Sequence, residues 1–538
     1  MITNKWLFNK LSLISALLVL LGSGCTKNFE EWNTNPNQAT AEMLQYDDLI
    51  TGSLFVQMQK NVFPISQQPL FGDEVYQTMQ NLCGDIYSGY MGSSGLWYSN
   101  VNNTTYAPIP NWYNQAFDRG FIGILPAWKS IKDVTIEQSA PQKLAIATIV
   151  KVEGLHRIAD IYGPLPYINF GNGALQNTYD NLKDIYYKFF DELDTAINVL
   201  TIFNVQNPNS TPLSRYDFIF NGNVQMWIKF ANTLKLRLAM RIVYADPSKA
   251  QAEAESAVNS PVGVFTNTSD VALLQHTSNM VYNHPLNIIC YNFGDIRMGA
   301  NMDSYLNGYK DPRLSLYFNK SSAGDYRGIR TGINITAKET YSQGPFSMLN
   351  IPTSFPIIWM GPAEAYFLRA EGALRGWNMG GTAQSLYETG IRTSFSYWNA
   401  GGVDAYIKDS TSLPAAYTDP QNSGNNISIG SASLSTITIK WKPTASFEEN
   451  LERIITQKWI AGFPDGQEAW SEFRRTGYPK VFPVVVNNSG GLISTTTQIR
   501  RMPFPTTEYS TNPGGVAQGV QYLGGTDNGG TKLWWDKK

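Results

Sequence analysis

Apolar residues recur at steps of three and four along much of this chain, the period of a helix with one buried face. Tyr186, Phe189, Phe190, Leu193, Ile197 and Leu200 share one stripe, with Asp180 placed to cap its helix. Val224, Trp227, Ile228, Ala231, Leu234, Leu238 and Ile242 form a second stripe behind Asn223, and Ile146, Ile149, Val152, Leu155 and Ala159 a third. Pro362 opens a helix for which Gly376 is the stop, and Leu386–Trp398 reads as another. Ser446 and Glu449 have the spacing of a capping box ahead of Leu451–Ile460, and Pro464 ends that helix and starts one carrying Trp470 and Phe473. A further helix is expected after Thr40.

Between these blocks the period disappears. Residues 84–113, 260–360, 400–440 and 483–533 are rich in Gly, Ser, Thr and Asn, as loops and short strands are. The pattern predicts a mainly α protein, with a helical scaffold over about 40–260 and 362–480 and long loops grafted onto it. Several helices mix Ala and Gly with large aromatic residues, as closely packed helix pairs do.

The first 25 residues read as a lipoprotein signal peptide, leaving 26–538 as the mature chain. Lys5 and Lys10 precede an apolar run, Leu11–Leu21, that is shorter than the ~20 residues needed to span a bilayer. Small residues in LGSGC then lead to Cys25, the residue that would be lipidated. Gly22 stands where a lipoprotein box usually has Leu, so an ordinary secretory peptide cut nearby is the alternative. Acyl chains on Cys25 would tether the protein to a membrane without a spanning helix.

Composition narrows the function. A net charge of −2 lacks the basic excess of a nucleic-acid binder. Three Cys and three His are too few for a zinc framework or a disulfide scaffold, and no metal or cofactor is expected. Cys83 and Cys290 are left to pair or to stay as free thiols. HExxH, GxSxG, Walker and GxGxxG motifs are missing, and no pair among the 43 acids is singled out for acid–base work. His156 reads as a packed helix residue, and His284 lies in a loop without an evident carboxylate partner. Lys229, Lys235, Arg237 and Arg241 read as a solvated face of the Trp227 helix with snorkelling stems.

One stretch carries a positive signal. Between residues 87 and 113 stand Tyr87, Tyr90, Trp97, Tyr98, Tyr106, Trp112 and Tyr113, among Asn, Ser and Gly and with no charge. Flat rings cover the C–H face of a sugar, and amide groups bond its hydroxyl edge. The competing reading is that the rings plug the loop onto the scaffold. Candidate ligand residues are Tyr90, Trp97, Tyr98, Asn100 and Trp112, with Trp359 and the loop Tyr282–Tyr291 as weaker candidates.

Eight segments in order resemble a known family: NFEEWNTNPNQAT after Cys25, HRIADIYGPLPY, WIKFANTLKLRLAMRI with ADPSKAQAEAESAV, YKDPRLSLYF, PAEAYFLRAEGALRGWN, YETGIRTSF, ITQKWIAGFPDGQEAWSEFRRTGYP and QIRRMPFPTTEYSTNP. The order is similar to that of the SusD/RagB outer-membrane lipoproteins of Bacteroidetes, in their SusD-like branch. The resemblance implies tetratricopeptide-like helical pairs in a right-handed α/α superhelix, topped by a loop-rich, irregular part. It implies a non-enzymatic cell-surface lipoprotein that captures a nutrient and hands it to a SusC-like TonB-dependent outer-membrane barrel. An oligosaccharide is the expected cargo, held by an aromatic platform around Trp97, Tyr98 and Asn100. Peptide cargo for a RagA-like importer and, from another class, a surface glycoside hydrolase are the alternatives.

Overall fold

In a computed structural model, residues 48–65, 73–174 and 176–538 are described, so the segment expected to be a signal peptide and Cys25 lie outside the described residues. The main helices are α1 Leu49–Val62, α2 Pro110–Asp118, α3 Leu125–Glu137, α4 Pro141–Tyr162, α5 Leu182–Gln206, α6 Val224–Arg241 and α7 Pro247–Val258. After a long irregular stretch come α8 Pro362–Leu374, α9 Ala383–Tyr397, α10 Phe447–Ala461 and α11 Gly466–Thr476. Short connections make hairpins of α3 with α4, α6 with α7, and α8 with α9, and the pairs stack as tetratricopeptide-like repeats do. Two small antiparallel ribbons complete the fold. Met91–Ser93 (β1) pairs with Ile296–Met298 (β3), and Ala272–Leu274 (β2) with Ile357–Met360 (β4).

The helix signals act locally as expected. Asn223 accepts from the Met226 amide, and Ser446 and Glu449 close their capping box. One cap moves by a residue: Asn181, not Asp180, caps α5 by accepting from the Asp184 amide at 2.9 Å. The Asp180 carboxylate instead accepts from the amides of Tyr167 and Ile168 and pins the loop before α5.

The basic residues of α6 overturn the expectation of a solvated face. Lys235, Arg237 and Arg241 are all buried, and Lys229 is largely so, paired with Asp270 at 3.1 Å. Lys235 pairs with Glu253 at 2.7 Å, and Arg237 with Glu364 at 2.7 Å. Arg241 meets Glu468 at 2.5 Å, Glu472 at 3.0 Å and Asp160 at 3.2 Å. Lys458 and Arg475 extend the network to Glu468, Glu472 and Glu371. Carboxylates of α4, α8 and α11 thus bind cations of α6, α10 and α11 inside the scaffold. Each charge is tolerated there because a partner replaces its lost water. His156 is packed beside this network, with Nδ1 against the Val152 carbonyl at 3.2 Å. Burial, and then the charges of Arg237 and Arg157, hold it well below the usual histidine range, so it stays neutral.

The turn of π-helix Gln77–Asp85 crosses α11 with a glycine on each side of the contact. A Cβ on Gly84 would lie 2.9 Å from Gln467 Cα, and one on Gly466 would lie 2.4 Å from Asp85 Cα. The close approach lets the Gly466 amide donate to Asp85 Oδ1 at 3.1 Å, while Asn81 Nδ2 donates to Oδ2 at 3.2 Å. Burial pushes the Asp85 carboxyl up to about 8, and Asp465 adds to the shift. The folded state therefore keeps a proton that the unfolded chain releases near 3.8. Its stabilising contribution is complete below about 4 and declines as pH rises to about 8. Asp85→Asn removes the titration while its Oδ1 still accepts from the Gly466 amide; its new amide nitrogen replaces the acceptor that Asn81 Nδ2 used, so the Asn81 amide must turn to accept from it. The melting temperature of the variant is expected to fall less between about pH 5 and about pH 8 than that of the parent. Parallel slopes in calorimetry at the two pH values would refute the assignment.

Candidate binding groove

The uncharged aromatic stretch sorts into two groups. Tyr87, Tyr90, Tyr106 and Tyr113 are buried, whereas Tyr98 is 60% exposed and Trp97 and Trp112 are half-buried. The last three cluster edge to face. Trp97 and Trp112 stand 5.4 Å apart at 81°, and Tyr98 and Trp112 5.8 Å apart at 64°. They line one wall of an open groove of about 740 Å³. Leu96, Asn111 and Gln115 add to the lining, Gln77 and Thr78 come from the π-helical turn, and Phe293 and Asp295 join them, with Gln77 Nε2 donating to Asp295 Oδ2 at 2.9 Å.

Local chemistry explains how the rings are presented. The β1–β3 ribbon ties the start of the aromatic loop to the Phe293–Asp295 side, and the Ser94 amide donates to the Asp295 carbonyl at 3.0 Å. Pro110 at the first turn of α2 then sets Trp112 and Gln115 toward the groove. Between these anchors, Tyr98, Ser99 and Asn100 take left-handed φ of 50°, 51° and 68° in succession. Residues with a Cβ adopt this conformation only where surrounding bonds over-determine it. Asparagines supply those bonds. Asn100 Nδ2 donates to Asn334 Oδ1 at 2.8 Å and to the Ile335 carbonyl at 2.9 Å, and its Oδ1 accepts from the Ile335 amide at 3.1 Å. Asn102 Nδ2 donates to the Trp97 carbonyl at 2.8 Å, and Asn103 Nδ2 to the Leu82 carbonyl at 2.9 Å.

Three of the sequence-based candidates are corrected by this arrangement. Tyr90 has no exposed surface: its ring packs on Trp459 and Phe463, and its hydroxyl donates to the Trp459 carbonyl. Asn100 is buried and its amide is spent on the loop, so it shapes the platform instead of facing a ligand. Trp359 is buried beside Arg237, and of the weaker loop candidates Tyr282 is buried while Tyr291 is 42% exposed. Trp97, Tyr98 and Trp112 come together as a cluster. The residues that sequence reasoning missed are Gln77 and Thr78, whose segment carries no ring-rich signature, and Phe293 and Asp295, which lie just past the Tyr282–Tyr291 candidate loop.

The electrostatics of the groove are mild. Asp295 receives Gln77 Nε2 at 2.9 Å and pairs with Lys338 at 2.5 Å, so its charge is largely answered. Glu74 is the other carboxylate of the lining. Among the described residues no group of three or more His, Cys, Asp or Glu is placed to hold a metal ion. Cys83 and Cys290 are both buried free thiols.

Comparison with known proteins gives the architecture a family. The sequence model of the SusD-like family, described as "Susd and RagB outer membrane lipoprotein", matches residues 31–536. This chain belongs to the SusD-like family. Its fold superposes on a chitin-binding SusD homologue from Flavobacterium johnsoniae with a TM-score of 0.86 and 43% identity, over 91% of this chain and 99% of that one. A SusD homologue from Bacteroides uniformis gives 0.84 and 40%, over 91% and 100%. One from Bacteroides vulgatus gives 0.84 and 34%, over 91% and 99%. Curated proteins give no match. The family assignment makes this SusD-like chain an outer-membrane lipoprotein, and no helix among the described residues is long and apolar enough to cross a membrane.

Proposed function

We propose that this SusD-like protein is a cell-surface lipoprotein, anchored through Cys25, that captures an oligosaccharide in the Trp97–Tyr98–Trp112 groove and delivers it to a SusC-like TonB-dependent transporter. The observation that carries this reading is the exposed ring of Tyr98 set edge-on against Trp112, above an open groove with amide-bearing walls. The rings cover the C–H faces of successive sugars, and Asn111 and Gln115 bond their polar edges. The chitin-binding relative favours a chain of N-acetylglucosamine units, whose acetamido groups suit such amides. A net charge of −2 gives no strong steering field and suits an uncharged cargo. Nothing in this mechanism transforms the cargo.

Isothermal titration of the full chain without its signal peptide tests the proposal, using chitin oligosaccharides, neutral glucans and peptides as ligands. The double variant Trp97→Ala/Tyr98→Ala is expected to bind the preferred glycan about 10- to 100-fold more weakly, since each ring contributes roughly 0.5–1.5 kcal/mol beyond its buried area. Unchanged affinity would remove the platform. Glycans are expected to remain intact after prolonged incubation, and turnover that survives purification would establish a hydrolase instead. Peptides co-purifying in place of glycan would redirect the cargo assignment.

A further inference from the structure

The helical scaffold holds a second opening, which shares no lining residue with the groove. It is a pocket of about 550 Å³ between α3, α4 and α5, bordered by residues 167–172. Its chemistry differs from that of the groove. Four lysines (Lys129, Lys132, Lys151 and Lys188) line it against two carboxylates, Asp191 and Glu192.

The charges do not cancel. Lys151 is buried, 3.7 Å from the centre of the Trp128 ring and 4.7 Å from that of Tyr167, and it pairs with Glu192 at 2.8 Å. The Tyr167 hydroxyl donates to the other Glu192 oxygen at 2.5 Å, so that carboxylate is fully engaged. Lys129 pairs with Asp133 on its own helix at 2.6 Å. Lys132 and Lys188 are half-buried, and neither forms an ion pair with a carboxylate among the described residues. Both act electrostatically on Lys151: after burial, which lowers its proton affinity most, and Glu192, which opposes that, Lys188 and Lys132 lower it further. Two cations without an ion-pair partner, Lys132 and Lys188, therefore line the pocket against one exposed lining carboxylate, Asp191, which leaves the balance positive. A solvated lysine face would be convex, with its charges turned outward. This surface is concave, with Phe170 half-buried at its side and Leu144 and Val199 among its apolar lining.

We infer that this pocket is a second ligand site, for an acidic saccharide whose carboxylate or sulfate is held by Lys132 and Lys188 while its sugar ring lies against Phe170. The two ammonium groups answer the anion, and the aromatic and aliphatic lining takes the C–H face, so the site selects for both features at once. Such a ligand is distinct from the neutral glycan of the groove.

The test uses the full chain without its signal peptide, titrated with trigalacturonate as the carboxylated probe and a sulfated heparin disaccharide as the sulfated one. At least one is expected to bind, more weakly as salt rises from about 50 mM to about 500 mM. Lys132→Ala/Lys188→Ala is expected to weaken it about tenfold or more, while Lys132→Arg/Lys188→Arg keeps most of the affinity. Trp97→Ala/Tyr98→Ala is expected to leave acidic-ligand binding unchanged, which separates this site from the groove whatever becomes of neutral-glycan binding. Which probe binds identifies the anion. Binding of neither probe, or binding lost only in the Trp97/Tyr98 variant, would overturn the inference. Circular-dichroism melts of the lysine variants, expected to match the parent, exclude unfolding as the cause.

Discussion

Glu468→Ala is expected to lower the free energy of unfolding by about 3–5 kcal/mol, the usual result of stripping one partner from a buried ion pair. Glu468 holds Arg241 at 2.5 Å through Oε2 and Lys458 at 2.9 Å through Oε1. All three residues are buried, so neither cation can recover its lost water when the carboxylate goes. Glu472 stands 3.0 Å from Arg241 and 3.5 Å from Lys458 and relieves part of the loss. Glu468→Gln keeps the shape and one acceptor and is expected to lose less. Urea unfolding followed by tryptophan fluorescence checks both, and a loss below about 1 kcal/mol for Glu468→Ala would mean that the network does not hold the helices together. The pH dependence has a definite sign. Burial alone would raise both carboxyls, but the surrounding cations hold Glu468 well below the usual range and Glu472 at about 2. Their contribution is complete above the ordinary value of 4.5 and is lost as pH falls toward about 2. Glu468→Gln is therefore expected to lose stability less steeply in acid than the parent.

This network also marks where sequence reading stops. The stripe through Val224, Trp227, Leu234 and Leu238 is visible because helical period is a local property, and so are the caps at Asn223 and Ser446. Arg237 and Arg241 share that helix but take their meaning from Glu364, Glu468 and Glu472, which lie far along the chain. No local pattern distinguishes a lysine or arginine awaiting a distant carboxylate from one in water. The groove divides in the same way. Ring density between residues 87 and 113 points to a platform, and Trp97, Tyr98 and Trp112 do cluster. Tyr90 belongs to the same stretch, yet a tertiary contact with Trp459 takes it into the core. A loop has no period from which such inward rings can be separated. Amides suit sugars, which on sequence alone makes Asn100 a ligand candidate. The same chemistry lets an amide bind backbone, and a run of left-handed residues needs those bonds more.

Trp470→Ala is expected to remove about 3–5 kcal/mol of stability and, unlike most core truncations, to weaken glycan binding by the molecules that remain folded. Trp470 is buried on α11, its Nε1 donates to the Ile499 carbonyl at 3.2 Å, and the Arg474 guanidinium lies 3.6 Å from the centre of its ring. On another side it meets Tyr87 at 5.2 Å. The Tyr87 hydroxyl in turn donates to the Asn103 carbonyl at 2.9 Å, and Asn103 Oδ1 accepts from the Ile109 amide at 2.8 Å. The segment from Trp97 to Trp112 thus rests on the scaffold through Trp470, although no atom of Trp470 lines the groove. An emptied indole site frees Tyr87 to move, and the left-handed run at Tyr98–Asn100 loses part of the support that holds it against its own strain. Trp470→Phe fills most of the volume and keeps a ring against Tyr87, so it is expected to lose less stability and to retain affinity. Urea unfolding gives the first quantity, and titration with the groove's preferred glycan, well below the unfolding midpoint, gives the second. A large stability loss in Trp470→Ala with unchanged affinity would show that the aromatic loop keeps its shape without the scaffold contact, and that the asparagine bonds alone suffice.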